Sequence, residues 1–588
     1  MRIALILPVA AAAALALLAA DTSPDWGGDV QLRAMADELT RSKTLQLNKL
    51  EKPYFVQYAS EDTEGFSVAA ALGGVTQVAH FHRRTPLVEI RVGDYNFDNT
   101  NFLYTVQAPA GLLPTDDDYG VMRTVLWRAS DVSYKLALTE IAQKRNAQRE
   151  VAEPDKTPDL TPVKPVQVIE PIQKFAIDDK AWMSSVREAS ARFASHPDVM
   201  TSHIAMNAHG LTYRLVNSEG TIVRVPQSWA ELEIRASAKG SEGRRVWNQY
   251  FVAGLDVSDF PHGTALSHLA DTLASQTDQL QKAPLAEDYT GPVLFEKEAA
   301  AEMMAEVLTD AIVRHRKPVA PSNANGPAAQ WQESVWATRV GSKVTPDWIT
   351  IFDDPLARSF KGTKLAGYYT IDDEGVPAQR VSIVEAGAFR GFLMSREPVR
   401  DTDRSNGHGR LPGGFGEHLA TIGNLFVQAG NTVSEAQLKA RLIEKVKSAG
   451  LKYGLIIRRM DFPSTSTLED LQGQARQAQK SGFTRTLSEP LLVYRVWPDG
   501  REELVRGLRF QEFSAKDLRD VAAAGNEPYV LNYINNGHSF NRTDGRAAIV
   551  PSSVICPSLL FESVELSRAD NEGSLPPLVP APALVAEQ

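Results

Sequence analysis

Proline placement decides how this chain can be partitioned. Between Val151 and Pro171, Pro154, Pro158, Pro162, Pro165 and Pro171 are set among charged residues. Proline fixes φ and has no N–H to donate, so that density excludes a regular helix or a central strand and marks a linker or exposed excursion. A second stretch, Lys317 to Pro327, holds Pro318, Pro321 and Gly326, and a third runs from Gly573 through Pro576, Pro577, Pro580 and Pro582. The expected organisation is therefore 21–150, an N-terminal α+β lobe; 151–171, the linker or excursion; 172–290, the rest of the N-terminal region; 291–565, a β-rich C-terminal domain; and 566–588, a disordered tail. Ahead of these, Arg2 and an apolar run from Ile3 to Ala20, broken only by Pro8, read as a signal peptide over 1–20. Its small alanines favour cleavage over an uncleaved anchor, although about 18 apolar residues is the lower edge of a spanning helix. A secreted or periplasmic protein is expected.

Periodicity supplies the elements between these marks. Leu32, Met35 and Leu39 fall on one face of a helix over 29–47. Tyr54–Tyr58, Ser67–Leu72, Thr76–His82 and Leu87–Val92 read as short strands in a meander. Met122, Leu126, Ala129, Leu136 and Ile141 keep a helical beat from Tyr119 to Arg149. Helix is also expected over Trp182–Ser195 and Lys297–His315, and a hairpin turns at Asn217–Gly220. Strand-rich sequence follows from Val344 to Val564, interrupted by a helix over Ser434–Lys447, where Ser434 and Gln437 have capping-box spacing and Gly450 lies beyond the end. The fold class is α+β with largely antiparallel sheets.

Charge and side-chain chemistry exclude more than they assign. With 62 basic and 72 acidic residues the net charge is −10 and no basic run exceeds two residues, so nucleic acid is not an expected partner. The single cysteine, Cys556, allows no intramolecular disulfide and no CxxC site. Among the histidines, no HExxH or HExxxH pair occurs. His80 and His82 share a strand face and could share a metal, but no third ligand is suggested nearby, and a half-exposed strand is the plainer reading. His408 sits in the glycine-rich Ser405–Arg410 loop, where an active-site loop or an ordinary surface loop both fit. No GxSxG, P-loop or GxGxxG motif appears.

Several segments nevertheless resemble the TldD/PmbA family. They are Glu287–Phe295 leading into Glu298–Glu302, Asp372-Asp-Glu-Gly-Val-Pro-Ala-Gln-Arg380, Val384–Phe392, Ser405–Arg410, Gly423–Val427 and, earlier, Val216–Thr221. The resemblance runs from about residue 30 to 565. It implies a fold shared with metallopeptidases that act on unfolded peptides, often as heterodimers in which one subunit carries zinc. It also implies HExxxH on the helix entering the C-terminal region, with a later cysteine. Here those positions hold Ala305, Glu306 and Asp310, and the cysteine position falls near Thr543, so only Glu306 is retained. Zinc needs several nitrogen or sulfur ligands, so no cofactor is expected, and Glu306 alone would have no metal-bound water to activate. On spacing alone Glu306 reads as a helix-surface glutamate.

The expected protein is thus a secreted, non-metal-binding, peptide-handling subunit, with Ser405, Asn406, His408 and Arg410 as binding candidates. Its expected partners are unfolded peptide and either a second copy or a relative with intact HExxxH; no membrane contact is expected beyond the signal peptide. The alternatives are a peptidase with a rebuilt site, using His408, Glu306 or Asp310, and an envelope scaffold protein.

Overall fold

The computed structural model describes residues 28–568, apart from 107, 109, 152–154, 244, 315, 323–332, 403, 413–417, 463–486 and 536–549. The expected signal peptide, the proline-rich tail, Thr543 and residues 323–327 of the second proline-rich stretch lie outside those residues.

The N-terminal region is one six-stranded sheet covered on one face by four helices. Its strands are β1 (Pro53–Ala71), β2 (Gly74–Val92), β3 (Gln167–Ile169), β4 (Val199–Asn217), β5 (Ile222–Lys239) and β6 (Arg245–Gly254), in the order β2-β1-β4-β5-β3, with β6 also on β5. The short strands expected over 54–92 are really two strands of 19 residues each, joined in one hairpin. The helices are α1 (Val30–Ser42), α2 (Tyr119–Arg149), α3 (Asp179–Ala191) and α4 (Thr264–Lys282). Alternation along the strands assigns the faces. Val56, Tyr58 and Val216 pack under α1 and α2 with Leu32, Met35, Met122 and Leu126, whereas Phe66, Val68, Ile204, Leu232 and Ile234 pack under α3 and α4 with Trp182, Val186 and Leu266. Residues of the opposite parity, Ala59, Tyr213, Leu215, Val223 and Val225, meet Ile371 of the C-terminal region. Asp29 caps α1 by accepting from Leu32 N, and its other oxygen takes Arg214 and Arg224 from β4 and β5, which pins the helix to the sheet.

The 151–171 stretch carries no helix among its described residues, as its prolines require. It is nevertheless anchored. Asp159 and Leu160 are buried, Thr161 N donates to Arg396 O at 2.9 Å, and β3 runs parallel to the start of β5.

In the C-terminal region, β7 (Tyr289–Phe295) occupies the middle of an eight-stranded sheet, between strands Leu559–Arg568 and Gly454–Met460. A second, six-stranded sheet contains β8 (Ile349–Asp353) and ends on strand Tyr529–Asn535. Helix α5 (Lys297–Ala311) lies between the sheets, and α6 (Glu435–Ser448) covers the far face of the larger one. The alternation is visible in β7: Val293 and Phe295 face α5, while Leu294 faces Leu438, Leu442 and Val446 of α6. The Ser434/Gln437 capping box forms as the sequence predicts, and Gly450 takes a φ of +66° beyond the helix end. The architecture is α+β.

Leu294→Ala should therefore cost about 3 kcal/mol in urea unfolding by opening a cavity under α6. Ser434→Ala, which removes only a cap, should cost about 1 kcal/mol.

Candidate functional site

Helix α5 leaves β7 through a tight corner. Lys297 adopts a φ of +38°, and its N–H donates to Ser558 Oγ. The next turns place Glu298, Glu302 and Glu306 at four-residue intervals, hence on one face. Glu298 and Glu302 meet the strand Gly454–Met460, and Glu306 meets the residues just ahead of the strand Pro490–Val496. Glu298 pairs with Arg459 at 3.3 Å, Glu302 Oε2 accepts from Met460 N at 2.9 Å, and Glu306 Oε2 accepts from Ser488 N at 2.9 Å. Met460 and Ser488 flank residues 463–486, and Asp461 N bonds Glu489 O between them, so the ladder ties together the two ends of that segment. Arg459 also reaches Asn248 of β6. Burial and the neighbouring Glu298 push Glu302 well above the usual carboxylate range.

This corrects the surface reading of Glu306, which is only 5% exposed. Ala305 is 1% exposed and belongs to the apolar core. Asp310 lies in the same helix, but its side chain is outside the described ones, as is all of Thr543.

The Ser405–Arg410 candidates do come together, as a braced corner that is half-buried at Ser405 and Asn406 and buried from Gly407 to Arg410. Asn406 Oδ1 accepts from Met394 N and its Nδ2 donates to Phe392 O; Ser405 Oγ bonds Met394 O. His408 is fully buried, with Nε2 3.1 Å from Asp353 Oδ1 and Nδ1 3.0 Å from Asn406 O. Arg410 is buried over the Tyr369 ring. Gly407, at φ +74°, leaves no room for a side chain: a Cβ would lie 2.3 Å from Pro377 O. His80 and His82 are separately engaged, with Asp179 and Asp62, and among the described residues no third ligand joins them.

The Asp372–Arg380 segment is the other half of this corner. Asp372 accepts from Glu374 N, Val376 N and Gly409 N, and Glu374 accepts from Arg396 N. Tyr213 of β4 donates to Asp373 O. Behind it, Arg91 of β2 spans Glu89, Asp98 and Glu397, Arg396 pairs with Glu219, and His418 Nε2 lies 3.6 Å from Glu89 Oε2. Burial raises Asp372, Glu374 and Glu397 to about 7 each. Burial also works against charge on His418, but the Glu89 hydrogen bond and the Glu374 and Glu397 carboxylates outweigh it and lift the imidazole to about 9.

Residues 288–568 match the PmbA/TldA metallopeptidase C-terminal domain. The chain belongs to the TldD/PmbA family. A metalloprotease of Archaeoglobus fulgidus is 37% identical over 75 residues, 13% of this chain and 16% of that protein. A metalloprotease of Synechocystis is 24% identical over 250 residues, covering 40% and 49% respectively. The matches thus span at most about half the length of these curated relatives. The crystal structure of TldE from Thermococcus kodakarensis shares the fold at a TM-score of 0.55 and 14% identity, over 91% of this chain and all of that one.

Zinc in TldD/PmbA metallopeptidases sets a test for α5. Ala305 offers no donor atom, one Glu306 oxygen is engaged by a backbone amide, and among the described residues no three His, Cys, Asp or Glu side chains are grouped to hold a metal. Cys556 is fully buried, with its thiol raised by desolvation. The described donor set does not fit zinc. Sequence reasoning missed Glu298 and Glu302 beside Glu306, although their four-residue spacing was legible, and it missed the Glu89–Arg91–Glu397–His418 cluster, because Arg91 and Glu397 lie 306 residues apart.

A pH dependence follows. His418 is raised above its unfolded value of 6.5, so its contribution is complete below pH 6.5 and lost as pH rises through about 9. The raised carboxyls act in the same direction from about 4.5 to 7, because the unfolded chain ionises first. Thermal melts should show stability falling between pH 6.5 and 9, by on the order of 3 kcal/mol from His418. His418→Gln should flatten that slope.

Proposed function

We propose that this TldD/PmbA member is an exported peptide-handling subunit that holds no catalytic zinc. The observation that carries the reading is the state of α5: an apolar methyl at Ala305 and a Glu306 carboxylate bonded to Ser488 N, in the helix where the family's metallopeptidases carry their ligands. In this reading an unfolded peptide adds as a strand to a sheet edge. Tyr529–Asn535 is a fitting edge, since it is outermost in the six-stranded sheet and packs beside α5. Backbone hydrogen bonds would hold the peptide with little side-chain selection. Catalysis would fall to an HExxxH-bearing relative, if the chain pairs with one, and export rests on the apolar Ile3–Ala20 run.

Purified protein should carry no stoichiometric zinc by elemental analysis, and should bind unfolded peptides without cutting them in a digest read by mass spectrometry. N-methyl groups in the peptide backbone should weaken binding more than side-chain changes of similar bulk. Chelator-sensitive cleavage abolished by Glu306→Gln would make the chain a peptidase in its own right. Neither binding nor cleavage would support a scaffold role.

For export, the mass of the mature chain should correspond to a start near Asp21. Membrane-held protein retaining Met1 would show an anchor.

A further inference from the structure

Arg410 stands apart from the other buried arginines of the molecule. Seven arginines are buried among the described residues, and six of them, Arg84, Arg91, Arg214, Arg224, Arg396 and Arg506, hold a carboxylate within 3.2 Å. Arg410 is as deeply placed, at 4% exposed, yet its nearest carboxylate, Asp373, stands 3.9 Å from Nε. Its Nε has no hydrogen-bond partner, and Nη1 reaches only Pro551 O, at 3.5 Å, the outer limit of a hydrogen bond. A guanidinium carries five N–H donors and a charge that does not titrate away, so burying it with its donors unmet is costly. The chain itself meets that cost everywhere else and leaves it unmet here.

Packing fixes the side chain without using its charge. The guanidinium lies 4.4 Å from the centroid of the Tyr369 ring, and that ring is held in turn by its hydroxyl, which donates to Gly407 O. The way in is on the Asp373 side: that side chain is 25% exposed, and among the described residues no hydrogen bond engages its carboxylate, so it can swing out to water. The surrounding charge admits a single anion. Burial pushes Asp372, Asp373 and Glu374 up toward their neutral forms, and His418 is lifted to about 9 and stays cationic at neutral pH. A carboxylate suits the position better than a doubly charged phosphate, because its two oxygens match the guanidinium fork with one charge. We infer that Arg410 is a carboxylate-binding group, which takes the C-terminal or an acidic side-chain carboxylate of a bound peptide on its unengaged N–H edge while Asp373 moves aside. The inference rests on the peptide-handling reading above, and not on which sheet edge takes the strand.

The test changes the peptide before it changes the protein. A fluorescently labelled, unfolded peptide of Gly, Ala and Thr is titrated with the full mature chain in three forms: with a free C-terminus, with a C-terminal amide, and as the amide with one internal Glu. A carboxylate-bearing form should bind about tenfold or more tightly than the plain amide, as a charge-assisted bidentate contact warrants. An advantage confined to the free C-terminus assigns the site to chain ends, and one shared by the Glu peptide extends it to side chains. Arg410→Gln should abolish the advantage and leave the plain amide's affinity unchanged, while Asp373→Asn should tighten the carboxylate forms by removing the competing group. Three forms that bind the native chain equally would overturn the inference and leave the peptide-handling reading standing, and that comparison needs no variant to fold. An advantage that survives in folded Arg410→Gln would overturn it too. Failure of all three forms to bind would overturn both.

Discussion

Arg91 is the residue on which the relation between the two halves of the molecule depends. Its guanidinium is 1% exposed and reaches Glu89 on its own strand, Asp98 in the following loop and Glu397 in the C-terminal region. A buried guanidinium is tolerated only when paired, and stranding it by removing a partner is typically worth several kcal/mol. The C-terminal region must therefore sit where Glu397 can meet Arg91. Arg396, one residue earlier, repeats the constraint by reaching Thr161 O and Glu219. The DDEG corner then packs on the helix-free face of the N-terminal sheet, and β6 comes to lie against Arg459 and the acidic face of α5.

Given that placement, the α5 carboxylates serve structure. A metal site needs donor groups converging on a point that the protein leaves vacant. On α5 the described carboxylates instead follow one another along the helix axis, each toward its own partner: Arg459, Met460 N and Ser488 N. Glu302 is buried and shifted toward its neutral form, which suits an acid wedged between two other glutamates. Glu298, Glu302 and Glu306 are thus committed to Arg459, Met460 N and Ser488 N, at residues that precede and follow positions 463–486.

Local signals in the sequence were reliable where local chemistry decides structure. The bounds of α2, the capping box of α6 and the turn after β4 are set by residues within a few positions of one another. Helix α4 escaped notice because Gly263 at its N-cap supplies no side-chain bond and polar Ser, Thr and Gln residues interrupt its apolar stripe. The length of β1 and β2 was hidden by Ser60, Thr63 and Arg84, polar residues buried by the fold and therefore read as breaks. His408 and Glu306 were misjudged for one reason: glycine neighbours suggest a loop and a glutamate on a helix suggests solvent, but Asp353 and Ser488, the groups that bury them, lie 55 and 182 residues away. Family resemblance marked the segments that form this corner, whereas its burial belongs to the tertiary structure alone.

Amide hydrogen exchange at Ser488 and Met460, compared between the native chain and Glu306→Ala, measures most directly whether the α5 carboxylates are committed to the backbone. Both amides should exchange slowly in the native protein, and Glu306→Ala should accelerate Ser488 alone while Met460, held by Glu302, stays protected. Equal exchange at Ser488 in the two proteins would contradict this, leaving the Glu306 carboxylate without its backbone commitment and open to a ligand.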